Sequence, residues 1–311
     1  MIATVTLNPA LDKMIYVESL LRHDANRTIN IESDAGGKGI NASRVLKELE
    51  SETVALGFIG GSSGSFIEHV LENEGVPTDF VRVAGPTRTN IAVQEADGSP
   101  PTMFNEPGPA IGKDAMKKLT DKLKDVAGRS YAVIFGGSIC AGAPKDIYHE
   151  MIHMVDAAGA LAILDADGAP LIEGCAAMPY MIKPNIDEAG RLVGAKLQSE
   201  AEVVRAARAL CDRGVRLVVI SMGKSGAIAT NCTECWRATP PRVQVVSTIG
   251  SGDSMVAGII HTLEKGGSLE DAMRLGSAAG AATAMTNGAE IGRRKNILAL
   301  LDQVKVERIP L

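Results

Sequence analysis

Six short apolar runs punctuate the chain, at residues 2–7, 53–59, 131–135, 161–164, 180–183 and 217–221, most with glycine or proline just beyond them. Runs this short and this continuously apolar read as strands covered on both faces. Between and after them lie patterns with helical spacing, at 40–50, 66–74, 114–126, 145–158, 186–193, 201–213, 254–265, 269–285 and 296–304. Strands that alternate with helices in this way predict an α/β fold: a doubly wound, mostly parallel sheet with helices on both faces. Such sheets bind ligands at the carboxyl ends of their strands. Residues 13–34 and 86–106 break the rhythm, because Met14-Ile15-Tyr16-Val17, Thr28-Ile29-Asn30-Ile31 and Asn90-Ile91-Ala92-Val93 alternate like half-exposed strands. They predict a small antiparallel addition to one α/β unit spanning 1–311.

Composition narrows the function classes. The 45% hydrophobic content with only 3% aromatics suits helices packed closely on a buried sheet. A net charge of −5 gives no broad basic surface for nucleic acid or anionic membrane, so neither is expected as a partner. No apolar stretch approaches the roughly 18 residues of a membrane span. The chain enters a strand at once, without a basic leader or cleavage site, and the cytoplasm is the expected compartment. Its five cysteines, at 140, 175, 211, 232 and 235, do not read as a disulfide framework.

Two glycine clusters carry the chemistry. Val246-Ser247-Thr248-Ile249-Gly250-Ser251-Gly252-Asp253 runs from a β-branched stretch through a tight turn into an apolar helix. The glycines and the unpaired amides of the helix start make an anion hole. Asp253 stands beside that hole in the first helical turn. A carboxylate next to an anion hole is what phosphoryl transfer to a hydroxyl needs: a proton acceptor and a cradle for developing charge. The second cluster, Ala35-Gly36-Gly37-Lys38-Gly39-Ile40-Asn41, also flows into a helix, and Thr6-Leu7-Asn8-Pro9-Ala10-Leu11-Asp12 closes the first strand.

Taken together over essentially the whole chain, these motifs resemble the PfkB carbohydrate kinases, the ribokinase-like sugar kinases. The Leu-Asn-Pro-x-x-Asp opening and the Gly-Gly-Lys-Gly-Ile-Asn form are similar to its 1-phosphofructokinase and tagatose-6-phosphate kinase branch. The resemblance implies an ATP- and Mg²⁺-dependent kinase that phosphorylates a ketohexose monophosphate, fructose 1-phosphate first and tagatose 6-phosphate second. It implies that the irregular segments form a β-sheet lid over the sugar, whose open edge favours a homodimer. Asp253 would be the base, and Gly250, Ser251 and Gly252 the phosphate cradle. Asp12, Gly36, Gly37, Asn41 and Ser138 would meet the sugar, although Ile139-Cys140-Ala141-Gly142 departs from the family's Leu-Pro-x-Gly continuation. Lys38, Arg27 and Arg88 would hold the phosphate that the substrate already carries. At the nucleotide end stand Lys183, Asn185, Ser221, Gly223, Gly226 and Asn287. Asn185 and Glu188 would organise Mg²⁺ through water, though Asn-x-x-Glu is also a capping box.

Rival motifs are weaker. His149-Glu150-Met151-Ile152-His153 spells the His-Glu-x-x-His of zinc metalloproteases. Its histidines, however, lie opposite the apolar stripe of Tyr148, Met151, Ile152 and Val155, and only His261 follows. Cys232-Thr233-Glu234-Cys235 has no second pair to complete a zinc site and reads as a hairpin tip. Gly223-Lys224-Ser225 lacks the first glycine of a P-loop, since Val218 stands there. An inactive sugar-phosphate sensor on the same fold would be expected to have lost Asp253, which is present.

Overall fold

The computed structural model describes all residues from 1 to 311. Along the first half run β1 (Ile2–Thr6), β2 (Ala10–Val17), β3 (Thr28–Gly36), α1 (Lys38–Glu48), β4 (Thr53–Ile59), α2 (Gly61–Asn73) and β5 (Val81–Arg82). Then come β6 (Arg88–Glu95), β7 (Thr102–Asn105), α3 (Lys113–Ala127), β8 (Ala132–Gly136), α4 (Ile147–Ala157) and β9 (Leu161–Asp165). The second half holds α5 (Gly168–Cys175), β10 (Met181–Ile182), α6 (Ile186–Val193), α7 (Glu200–Asp212) and β11 (Leu217–Ser221). After them follow β12 (Ala227–Thr230), β13 (Cys235–Thr239), α8 (Ser251–Glu264), α9 (Leu269–Ala284), α10 (Arg294–Leu301) and β14 (Lys305–Ile309).

Ten strands form one sheet in the order β14-β13-β12-β11-β10-β9-β8-β1-β4-β5. Pairing is parallel from β5 across to β11 and antiparallel at the β12–β14 edge. Alternation along the strands divides the core. Val5, Val133 and Phe135 face α3, α4 and α7, where Leu119, Ile152 and Leu210 are buried. Ile2, Ile134 and Ile163 face α1, α8 and α9, against Leu46, Ile260 and Ala279. Small residues dominate α9, which lets it lie close on α8.

The expected lid is a separate four-stranded sheet, β3-β2-β6-β7; it is not wholly antiparallel as expected, because β2 and β6, far apart in the chain, pair in parallel. It starts earlier than residue 13: the segment after Pro9 is already β2, so Asp12 sits on a lid strand, directly across from Asp34 and Asn90. Helix α5 and strands β5 and β14 add to the expected elements, while β12 and β13 are the arms of the expected hairpin. Glycines and a proline obscure the pattern of α5, and β14 is a half-exposed, charged strand rather than an apolar run. Cys232 does lie at the β12–β13 hairpin tip, but it is not alone. It bonds Cys211 of α7 at a Cα separation of 5.7 Å, which corrects the expectation of unpaired cysteines. The pairing comes from the fold, which lays α7 against the hairpin. Cys140, Cys175 and Cys235 stay free and buried.

Candidate active site

Helix α8 opens at Ser251 with Gly250 as its N-cap at φ 76, in the left-handed region that glycine enters without steric cost. No side chain caps this helix; the Ser251 amide donates to Thr248 O at 3.3 Å, while those of Gly250, Gly252 and Asp253 have no protein partner. Asp253 follows, 7% exposed. Its Oδ2 accepts a 2.8 Å hydrogen bond from Asn41 Nδ2 at the start of α1. Burial, and then the nearby Asp165 charge, push its pKa up to about 6, while Lys38, Asn41 and Lys183 pull the other way. A carboxylate poised near neutral pH is suited to take and release a proton.

Asp165, at the carboxyl end of β9, organises the cations. Lys38 Nζ donates to its Oδ1 at 2.8 Å, and Lys183 Nζ forms an ion pair with Oδ2 at 3.3 Å. Burial alone would protonate Asp165, but the two lysines outweigh it and hold the acid ionised. Lys183 is buried and stands 3.0 Å from the point a Cβ on Gly252 would occupy, so its charge reinforces the amide hole. The family resemblance places Lys38 on the substrate's own phosphate. Its ammonium, on a partly exposed side chain, turns to Asp165 and lies in the field of Asp253. Asp165 is absent from the site residues expected from sequence. Its position, an aspartate at the end of a buried parallel strand, is the signal that would have found it.

On the lid side, Asp12 accepts from Asn90 Nδ2 at 2.8 Å. Gly36 must be glycine here, since a Cβ would come within 2.0 Å of Asp12 Oδ2. Arg88 donates to the backbone oxygen of Asn8 through Nε and Nη2, at 3.2 and 3.0 Å, and to Glu106 O at 3.3 Å. Asn8 Nδ2 reaches Ser138 Oγ at 3.3 Å, so Arg88 and Ser138 meet at Asn8. Arg27 stands apart, exposed just before β3 with no hydrogen bond or ion pair. The amide oxygens of Asn8, Asn41 and Asn90 and the hydroxyl of Ser251 are buried without a partner. Unpaired buried oxygens are costly, and Asn41 lies against Asp253 while Asn90 lines the cavity beside Asp12.

The lid root is tied down by Arg44 of α1. It binds Glu74 through two nitrogens at 2.7 and 2.9 Å, Asp34 of β3 at 3.0 Å, and the carbonyl oxygens of Ala35 and Ala289. A cavity of about 470 Å³ beneath the lid is lined by Asp12, Arg44, Asn90 and Asn287 among others. Asn287, expected at the nucleotide end, therefore borders the lid cavity, because the loop after α9 folds back against α1 and β2.

At the nucleotide end, Asn185 and Glu188 bond reciprocally, at 2.7 and 2.9 Å, in a complete capping box. Glu188 is buried and lies within the field of Lys38, Asp165 and Lys183. The strand pairing puts Asn185 beside Ser221 at the end of β11. Gly223 lies in the next turn, and a Cβ on Gly226 would strike Ala238 O at 1.9 Å. No three His, Cys, Asp or Glu side chains converge to cage a metal. The hard oxygens of Asn185, Glu188 and Asp165 do fit Mg²⁺, which keeps most of its waters and takes phosphate oxygens.

Comparison with known proteins agrees with this geometry. The sequence profile described as "pfkB family carbohydrate kinase" matches residues 5–296. The chain belongs to that family. It is 37% identical to a 1-phosphofructokinase of Borreliella burgdorferi, covering 99% of both chains. It is 35% identical to a D-tagatose-1-phosphate kinase of Bacillus licheniformis, covering 93% of this chain and 94% of the other. Among solved structures, phosphofructokinase-2 from Escherichia coli in complex with substrates and products superposes with a TM-score of 0.93 at 28% identity, covering 97% and 98%. The enzyme is thus an ATP-dependent sugar kinase, and its irregular β segments form the small sheet of a ribokinase-like fold.

Proposed function

We propose that this kinase transfers the γ-phosphoryl group of ATP to the free primary hydroxyl of a ketohexose 1-phosphate, with fructose 1-phosphate as substrate and fructose 1,6-bisphosphate as product. The observation that carries the reading is Asp253, held by Asn41 and flanked by the Gly250 and Gly252 amides, which donate to no other group, with Ser251 between them. The hydroxyl gives its proton to the free oxygen of Asp253 as it attacks. The amides and Lys183 take up the charge on the phosphoryl oxygens, which is where phosphoryl-transfer catalysis gains most. Asp12, Asn41 and Asn90 offer oxygens to the other sugar hydroxyls, and Gly36 and Gly37 let the ring approach the backbone. Arg88 is the cation for the existing phosphate and exchanges the Glu106 carbonyl for it; Arg27 serves that anion only if brought in from elsewhere. Asn185 and Glu188 would hold Mg²⁺ through water, and the ion would supply charge neutralisation on the nucleotide phosphates. Lys183, Ser221, Gly223 and Gly226 border the nucleotide, and Asn287 lies between it and the lid. Lid closure excludes water, which would otherwise compete as acceptor.

The relatives named for fructose and tagatose 1-phosphates support a 1-phosphate substrate over tagatose 6-phosphate. An ADP-release assay with fructose 1-phosphate, tagatose 1-phosphate, fructose 6-phosphate, tagatose 6-phosphate and unphosphorylated sugars tests this, and turnover of neutral sugars alone would sink it. The reading includes a cytoplasmic location; no helix is long and apolar enough to cross a membrane. It also includes a homodimer through the lid. Ile31 and Phe104 are 52% and 56% exposed on the lid face opposite Asp12. A second copy of the chain would cover that face. Phe104→Lys should shift sedimentation from dimer to monomer, and an unchanged dimer would remove the lid from the interface.

A further inference from the structure

The mechanism leaves one pair of metal-ligating side chains unused. On α4, Tyr148, Met151, Ile152 and Val155 face the core, while His149 and His153 lie on the outer side, where His153 is exposed. One helical turn separates them, and their Nε2 atoms approach to 3.1 Å. The rings meet edge to face, with centroids 4.6 Å apart. His149 Nδ1 faces the backbone carbonyl of Glu173 at 3.3 Å. A proton on that Nδ1 makes the carbonyl bond and leaves the Nε2 lone pair free, the arrangement that orients an imidazole for a metal.

We propose that His149 and His153 form a two-imidazole chelate for a late first-row transition-metal dication, separate from the catalytic centre. With metal–nitrogen bonds of 2.0–2.1 Å, the 3.1 Å separation subtends about 95–102° at the ion. That lies between the ~90° cis angle of tetragonal or octahedral coordination and the ~109° of tetrahedral coordination, so the pair can serve as a bite for either. The proton between the two Nε2 atoms, carried by His153, moves through solvent to His153 Nδ1, which leaves both Nε2 lone pairs for the ion, and water fills its remaining positions. Asp156, one turn further along and facing His153 and Arg216, adds negative charge on the same side. No third protein ligand reaches the pair, which excludes a closed structural zinc site and the protease chemistry that His-Glu-x-x-His suggests. Cu²⁺ and Ni²⁺ therefore bind ahead of Zn²⁺ and far ahead of Mg²⁺.

The test uses untagged, full-length protein stripped of metal with a chelator and titrated with Ni²⁺ or Cu²⁺ alone in a calorimeter. One ion per chain is expected. His149→Ala and His153→Ala should each weaken Ni²⁺ binding by about tenfold or more, the scale seen when a metal's supporting groups are removed. The double variant should keep full Mg²⁺-supported kinase activity, which reports an intact fold. Absence of Ni²⁺ binding by the unmodified protein, or binding that persists undiminished in the double variant, overturns the proposal.

Discussion

Asp253→Asn removes a single basic oxygen and leaves the rest of the site in place. The amide matches the carboxylate in size, the Gly250 turn needs nothing from the side chain, and Lys183 keeps its partner Asp165. The loss is therefore that of a general base, about 10²–10⁴ in kcat, or about 2.7–5.5 kcal/mol of barrier. Asp253 also sets the acid side of the pH profile. With its pKa near 6, about nine-tenths of the enzyme carries the active carboxylate at pH 7 and about a tenth at pH 5, so kcat/KM should drop about tenfold between them. In Asp253→Asn that drop should vanish along with most of the rate. ATP and sugar phosphate affinities, measured by calorimetry, should stay within a few-fold because the amide donors survive. The assay is ADP release followed from pH 4.5 to 8.5. A variant that keeps more than a tenth of kcat, or whose residual rate shows the same acid fall, would refute the role assigned to Asp253.

Asp165→Asn removes the charge that opposes ionisation of Asp253 and frees both lysines to favour it, so the acid limb of kcat/KM should move to lower pH; a shift to higher pH contradicts the arrangement. Arg88→Ala should raise KM for the sugar phosphate by about 10–150-fold, the equivalent of a lost charge-assisted contact of about 1.5–3 kcal/mol, and equal weakening of ATP would show that Arg88 is not the sugar-phosphate cation. Arg44→Met strands Glu74 and Asp34 beneath the lid and should lower unfolding free energy in urea by about 3 kcal/mol or more; a change below about 1 kcal/mol would mean the network is solvated. His149→Ala combined with His153→Ala should leave steady-state phosphorylation intact, and its loss would reopen a catalytic role for the pair.

What the sequence discloses follows a physical rule: features set by neighbours along the chain are legible, and features set by distant segments are not. The Gly250–Asp253 turn declares itself because two glycines and a helix start lie within four residues, and α6 has its expected bounds because Asn185 caps it locally. The strands of the parallel sheet are readable because burial on both faces leaves an unbroken apolar run. Asp165 is hidden because its meaning depends on Lys38 and Lys183, brought in by α1 and the end of β10. The ion pair of Lys38 with Asp165 is hidden from sequence for the same reason. Arg44 looks like an ordinary helix arginine until α2, β3 and the loop after α9 enclose it. The Cys211–Cys232 bond needs the hairpin to fold over α7, which spacing alone does not reveal.

The construction of the lid has a consequence for how the chain matures on the ribosome. Strands β2 and β3 form a hairpin that emerges early, yet β2 takes its other edge partner from β6, and Asn90 lies 78 residues beyond Asp12. At a synthesis rate of ~5–20 residues per second, that partner arrives roughly 4–16 s later. Strand β1 waits longer still, since β8 must complete its second side. Throughout that interval the nascent hairpin presents an unpaired edge together with Ile29 and Ile31, which remain exposed even in the finished chain. Such an edge is a template for pairing with another chain. The small sheet, which keeps exposed apolar residues and completes its pairing only after β6 emerges, is thus a segment whose assembly gains from time after that strand is made.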